Sequence, residues 1–371
     1  MSNQPAVSVV MPIYNAEPYL REALDSVVNQ TLKNIEIVCV NDGSKDTSLQ
    51  TMKEYAEKDE RIVILDNPNG GYGHAMNEGI KAATGEYIGI LEPDDCIKAD
   101  MFETLYNRAK HDDLDFVRSN YCRMTTTGPE GLRHLQEKKI SPKPEYYDVT
   151  LNPQENLDLF NIRMENWTGI YKTTFIRDNQ IRFNESPGAG FQDNGFWFQT
   201  YCYATKIAII DKSFYCYRVD NAASSINQPN KVFVMLDEYK WIESWLESHP
   251  DLYKRFIGIF EYKKTHNCMF AFSRLADDYQ LDFLKRYSSE YAEAFDKGLI
   301  DEKLFWPDEL SELKAIVADP SKYLEERRKR DAFEKGLAEA RERGGASLFA
   351  FYARNEGIGS AMRRTFKHLA H

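Results

Sequence analysis

Residues 7–20 read VSVVMPIYNAEPYL, and the change of character inside them decides the fold: an unbroken apolar, β-branched run gives way to a short polar loop and then to helical spacing. Val7 to Ile13 has the composition of a strand buried on both faces, as parallel sheets require. The same character returns at 35–40 (IEIVCV), 61–65 (RIVIL) and 87–91 (YIGIL). Helical spacing fills the intervals, over 18–29, 48–58 and 72–83. Strand alternating with helix builds a parallel sheet covered on both faces, with ligands held on the loops beyond the strand C-terminal ends. The first ~95 residues are therefore expected to be a nucleotide-binding half.

Further on, the pattern predicts a helix at 101–110, a strand at 116–124, loop or edge hairpin across 125–150, a helix at 153–159 and a strand at 207–218. From 231 onward the chain reads helical and charged, over 232–248, 252–278, 281–297 and 310–343. These readings divide it into a domain over residues 1–225 and a helical region over 226–371. At 371 residues the chain exceeds one ordinary core, and 42% hydrophobic residues suffice to fold it. A net charge of -11 excludes a general nucleic-acid binder, whose affinity comes from clustered Lys and Arg. The six cysteines, Cys39, Cys96, Cys122, Cys202, Cys216 and Cys268, show no CxxC pair or zinc spacing and read as buried thiols of a reduced compartment. With no signal-peptide pattern and no apolar run near the roughly 18 residues that span a bilayer, a cytoplasmic protein is expected.

Four loops carry the chemistry. After the first run come Pro12, Ile13, Tyr14, Asn15, Ala16 and Glu17, where Tyr14 offers a ring to a flat base; a turn with a capping Asn is the plainer reading. After the second come Asn41, Asp42, Gly43 and Ser44, where Asp42 can accept a ring N–H and Gly43 lets the backbone approach closely, or an Asp-Gly turn explains both. The third, Asn67 to His74 (NPNGGYGH), lacks the spacing of the dinucleotide fingerprint and of the Walker loop. Its glycines before a helix still suit a diphosphate or its sugar. The fourth sets Glu92, Asp94 and Asp95 around Pro93, three carboxylates in four residues. A hard cation with oxygen ligands, Mn2+ or Mg2+, relieves such crowding and bridges two phosphates. An Asp-capped turn into the next helix is the competing account.

As a set, VSVVMPIYNAEPYL (7–20), LDSVVNQTLKNIEIVCVNDGSKDTS (24–48), NGGYGHAMNEGIKAATGEYIGILEPDD (69–95) and FQDNGFWFQ (191–199) resemble the family 2 glycosyltransferases of bacterial polysaccharide type. The resemblance implies a GT-A fold: an α/β, Rossmann-like, mostly parallel central sheet flanked by helices, here with a helical C-terminal region. It implies an enzyme using a nucleotide-sugar donor, typically a UDP-sugar, and a glycan or lipid-linked glycan acceptor. Pro12, Tyr14 and Glu17 would border the base and ribose, with Asp42 on the base. Asn69 and Gly70 would shape the sugar pocket, Asp94 would meet the ribose and diphosphate, and Asp95 would be the protein's metal ligand. Asp193 falls where the family places its general base, with Gln192 in place of the usual Glu. Glu92 stands where Asp is more common and joins Gln192 and Trp167 as a secondary site residue, Trp167 as an acceptor platform. Arg218, in a loop with Asn221, Ser224 and Ser225, would meet the donor phosphates. A single displacement with inversion follows.

Two alternatives stay open. A sugar-phosphate nucleotidyltransferase shares the sheet but carries a basic, Gly-rich triphosphate loop that this sequence lacks; a non-catalytic nucleotide-sugar-binding protein would keep the loops without the chemistry. The tail from Ser347, with Phe349, Phe351, Tyr352, Met362, Phe366 and Leu369 beside Arg363, Arg364 and Lys367, reads as basic and amphipathic. It suits the inner face of an anionic membrane, a homodimer contact, or docking on the body.

Overall fold

β1 (Val7–Ile13) and β2 (Ile35–Asp42) pair in parallel from Val7 opposite Ile35 to Ile13 opposite Asn41. Every residue of β1 is buried, as its uninterrupted apolar run requires. The computed structural model describes residues 4–127, 132–221 and 231–358, together with 360, 361 and 364. β3 (Ile62–Asn67) extends the sheet beyond β2, and β4 (Tyr87–Ile90) pairs in parallel with the other edge of β1. The order β3-β2-β1-β4 therefore reverses at β1, which opens a crevice at the C-terminal ends of β1, β2 and β4.

β5 (Cys96–Ile97), β6 (Phe116–Thr127), β7 (Leu132–Lys138), β8 (Thr150–Leu151), β9 (Gly169–Lys172) and β10 (Ile207–Arg218) complete the sheet. Its path runs β3-β2-β1-β4-β9-β6-β10-β5, with β7 on β6 and β8 on β10. β9 is antiparallel to both neighbours, whereas β6 and β10 run parallel to each other. Residues 125–127 and 132–138 thus pair as an antiparallel hairpin, one of the two readings the sequence allowed.

The helices α1 (Glu17–Val28), α2 (Ser48–Ala56), α3 (Tyr72–Ala82) and α4 (Met101–Asp112) follow the predicted spacing. Pro18 sits in the first turn of α1, where its missing N–H has no intrahelical partner to lose. The short α5 (Thr173–Asp178) precedes α6 (Asp193–Tyr203), which is buried continuously from Asn194 to Cys202. Phe196 packs on Tyr171 of the sheet, and Phe198 on Phe260; a helix covered all round has no use for a polar face. The helix expected at 153–159 is only a 3₁₀ turn, Leu157–Asn161. There the Asn156 side chain accepts from the Asp158 N–H, a local bond that favours a turn over a helix.

The chain divides into two compact units, Met1–Arg274 and Leu275–His371. The first also holds α7 (Val234–Glu247) and α8 (Pro250–Phe272). The second holds α9 (Asp277–Asp296), α10 (Pro307–Ala318), α11 (Pro320–Glu342) and α12 (Gly345–Glu356). The single run expected over 310–343 is broken at Asp319, which caps α11 by accepting from Ser321 and Lys322, with Pro320 in its first turn. On α12, Leu348 and Tyr352 are buried with Ala340, and Phe351 meets Phe333 at 5.0 Å. These apolar residues of the tail cover α11. Met362, Arg363, Phe366, Lys367 and Leu369 lie outside the described residues, and no described helix is long and apolar enough to cross a membrane.

α3 lies close enough to the sheet that a Cβ on Gly79 would stand 2.4 Å from Val10 Cγ1 and 3.1 Å from Val40 Cγ2. Gly79→Ala is expected to cost about 1–3 kcal/mol by overpacking, despite the better helix propensity of Ala. The urea midpoint measures it.

Candidate active site

The crevice is framed by loops that hold one another. Asn15 adopts φ +50°; its Oδ1 accepts from the Lys45 N–H at 2.7 Å, and its own N–H donates to Ser44 Oγ at 3.1 Å. The Ala16 and Glu17 N–H groups, left over at the start of α1, donate to Ser48 Oγ and Asp46 Oδ2, both at 3.0 Å. The loop after β1 is thereby locked to the loop after β2. Tyr14 is left 47% exposed, while Pro12 is buried below it and Glu17 is exposed.

Asp42 is turned toward the glycine loop. Its Oδ1 accepts from the Gly70 N–H at 2.7 Å and its Oδ2 from the Gly71 N–H at 3.0 Å. Asn69 Nδ2 donates to the Asp42 carbonyl at 2.9 Å and to Oδ2 at 3.2 Å. Asp42, Asn69 and Gly70, expected on base and sugar, thus brace one another. The glycines serve chain packing: a Cβ on Gly73 would fall 1.8 Å from the Asn184 carbonyl oxygen, and one on Gly71 would be 2.9 Å from the Gly188 nitrogen. What the sequence offered as a diphosphate loop is pressed against residues 184–188.

The three carboxylates after β4 do not gather on one point. Glu92 Oε1 accepts from the Tyr72 hydroxyl at 2.8 Å, and Asp94 Oδ2 accepts from Asn221 Nδ2 at 2.8 Å. Asp95 is 1% exposed; its Oδ1 accepts from the Arg218 N–H at 2.7 Å, its Oδ2 is buried with no hydrogen bond of ordinary geometry, and the Tyr215 hydroxyl stands beside the carboxyl. Burial, and next the Asp94 charge, holds the Asp95 carboxyl well above the usual carboxylate range. A cation would satisfy both the orphaned oxygen and that charge, so the residue fits a divalent metal. Among the described residues no group of three or more His, Cys, Asp or Glu could hold a metal ion.

Arg218, expected to meet the donor phosphates, makes its contacts within the protein. Its side chain is 5% exposed and paired with Glu22 at 2.7 Å. Nε donates to the Asp94 carbonyl at 2.8 Å, Nη1 donates to Thr126 Oγ1 at 3.1 Å, and the guanidinium lies over the Tyr19 ring at 4.8 Å. It is a strut between α1 and the acidic loop. Ser224 and Ser225 lie outside the described residues.

Asp193 opens α6, and its Oδ1 lies 3.3 Å from the Tyr72 hydroxyl. Asn166 Nδ2 donates to the Asp193 carbonyl at 2.9 Å. Burial pushes the Asp193 carboxyl up to about 6. Gln192 staples its own loop: Oε1 accepts from the Gly190 N–H at 2.6 Å, while Nε2 donates to Ser186 Oγ at 2.9 Å and to the Gly188 carbonyl at 3.2 Å. Trp167 is 8% exposed and packs on Tyr121, Tyr215 and Tyr217, which leaves little ring for a sugar. Sequence pattern did not single out Tyr72, although an aromatic hydroxyl between two glycines was the available signal. Nor did it single out Glu238 of α7, whose Oε1 accepts from the Gly195 N–H in α6 at 3.1 Å and Oε2 from Asn184 at 2.8 Å.

Residues 8–182 match the model of glycosyl transferase family 2. The glycosyltransferase GlyG of Streptococcus pneumoniae is 33% identical over 216 residues, 57% of this chain and 70% of GlyG. The chain belongs to glycosyl transferase family 2. A second relative in this family, the glycosyltransferase EpsJ of Bacillus subtilis, is 32% identical over 232 residues, 61% of this chain; the match spans 64% of EpsJ. Residues 1–349 of S. aureus TarS, solved in complex with UDP-GlcNAc, share the fold at a TM-score of 0.61 with 20% identity, covering 88% of this chain and 92% of that one.

Two buried carboxyls beside the site share one sign of pH dependence. Burial raises Asp193 to about 6 and Glu238 to about 7, so the folded state prefers both protonated. Their contribution to stability is present at low pH and is lost as pH rises through those values. Asp193→Asn, which cannot ionise, is expected to raise Tm relative to the wild type at about pH 8 and to change it little at about pH 4. Differential scanning fluorimetry across pH measures this.

Proposed function

We propose that the chain is an inverting, metal-assisted glycosyltransferase that moves a sugar from a UDP-sugar to a hydroxyl of a glycan or lipid-linked glycan in surface polysaccharide synthesis. The observation that carries this reading is the Tyr72 hydroxyl, which reaches both Glu92 and Asp193. A buried carboxylate with a raised pKa therefore stands one hydroxyl away from the acidic loop at the sheet switch point. Tyr14, 47% exposed at the rim, would cover a uracil, and Asp94 would meet the ribose and diphosphate. The UDP-GlcNAc bound by TarS supports the donor class.

Asp193 takes the proton of the acceptor hydroxyl as that oxygen attacks the anomeric carbon opposite the diphosphate, and the configuration inverts in one displacement. A pKa near 6 suits a general base, because the carboxylate is ionised at neutral pH yet basic enough to accept. Asp95 is the residue that would hold Mn2+ or Mg2+, which when bound neutralises charge on the departing diphosphate. Crevice, braced loops and base thus divide the work between binding and proton transfer.

Asp193→Asn is expected to lower kcat by about 10²–10⁴ while binding of UDP-sugar, read by calorimetry, stays as in the wild type. In the wild type kcat should fall as pH drops through about 6. Full turnover in Asp193→Asn, or a retained anomeric configuration by NMR, overturns the assignment. Asp95→Asn should abolish the extra thermal stabilisation that Mn2+ gives to the UDP complex, and equal stabilisation in both proteins removes Asp95 as the ligand.

A further inference from the structure

We propose that Tyr72 is the positioning residue of the base: its hydroxyl, anchored against Glu92, holds the Asp193 carboxylate in the orientation that faces the acceptor. This rests on the assignment of Asp193 as base.

The geometry of Tyr72 is over-determined. The residue before it, Gly71, has φ +88° and no room for a Cβ, and the residue after it, Gly73, is pressed onto the Asn184 carbonyl. Its own N–H donates to the Gly188 carbonyl at 2.9 Å, and its ring meets Phe183 edge-on at 5.7 Å. The side chain leaves α3 in a fixed direction, across the gap between the acidic loop and α6. At its tip the hydroxyl is 2.8 Å from Glu92 Oε1 and 3.3 Å from Asp193 Oδ1. A phenol carries one proton, so it donates to one carboxyl at a time; the nearby Glu92 fixes where the hydroxyl stands.

A hydrogen bond to a carboxylate favours the ionised form and orients it. Five other groups face Asp193: Glu92 from the acidic loop, Glu165 and Asn166 from the turn before β9, Tyr171 from β9, and Glu238 from α7. Glu92, Glu165 and Glu238 are carboxyls and oppose ionisation when charged. Asn166 donates to the Asp193 backbone carbonyl, and its side chain also hydrogen-bonds the carboxyl. The Tyr72 hydroxyl is the donor that reaches Oδ1, at 3.3 Å, when its proton is turned from Glu92 toward Asp193.

Tyr72→Phe keeps the ring and removes that donor. Expected is a fall in kcat of about 10- to 100-fold, the loss of a hydrogen bond to a charged group, with the donor KM unchanged and the acid limb of the kcat profile moved to higher pH. In an Asp193→Asn background the same substitution should cause no further loss. Wild-type kcat and acid limb in Tyr72→Phe, or a full additional loss in the Asp193→Asn background, overturns the proposal. Where Tyr72→Phe does not fold, 3-fluorotyrosine at position 72 keeps the shape and strengthens donation; the acid limb should then move to lower pH, and an unmoved limb overturns the proposal. Full turnover in Asp193→Asn alone removes the base assignment itself, a failure distinct from that of Tyr72.

Discussion

Everything in the first unit is referred to the parallel pairing of β1 with β2 on one edge and with β4 on the other. Because β1 is buried on both faces and bonded along both edges, its C-terminal end cannot move independently of theirs. Loops leaving the three strands must then share one rim. The cross-links between them, Asn15 to Lys45, Asp42 to Gly70 and Gly71, and Arg218 to Asp94 and Asp95, add short-range definition to positions that strand pairing has already brought near.

The strands and helices up to residue 112 were legible because each is a local pattern: an apolar run, a helical period, a proline at a helix start. The same locality explains the failures. The run over 310–343 has helical spacing throughout, and only Asp319 with Pro320 marks the break between two helices. At 153–159 an Asn side chain outcompetes a weak helix.

The site was legible as a set of loops but not as a set of contacts. Residue type showed that Asp42, Asn69, Gln192 and Arg218 were polar and well placed in the sequence. It could not show that their partners would be other parts of the protein. Arg218 is the clearest case: Glu22, 196 residues away, takes its charge, and no local pattern announces that pair. Tyr72 was hidden for the opposite reason, since its partners Glu92 and Asp193 lie on two different elements and meet only in the fold.

Gln192 has a consequence for how the site responds to its surroundings. An amide both gives and receives hydrogen bonds, and this one does both within residues 186–190. A carboxylate at the same place could not donate to the Ser186 and Gly188 oxygens without first taking up a proton. The Gln192 latch on the loop leading to Asp193 therefore has no ionisable part, and its own hydrogen bonds do not depend on the pH at which Asp193 gains or loses its charge.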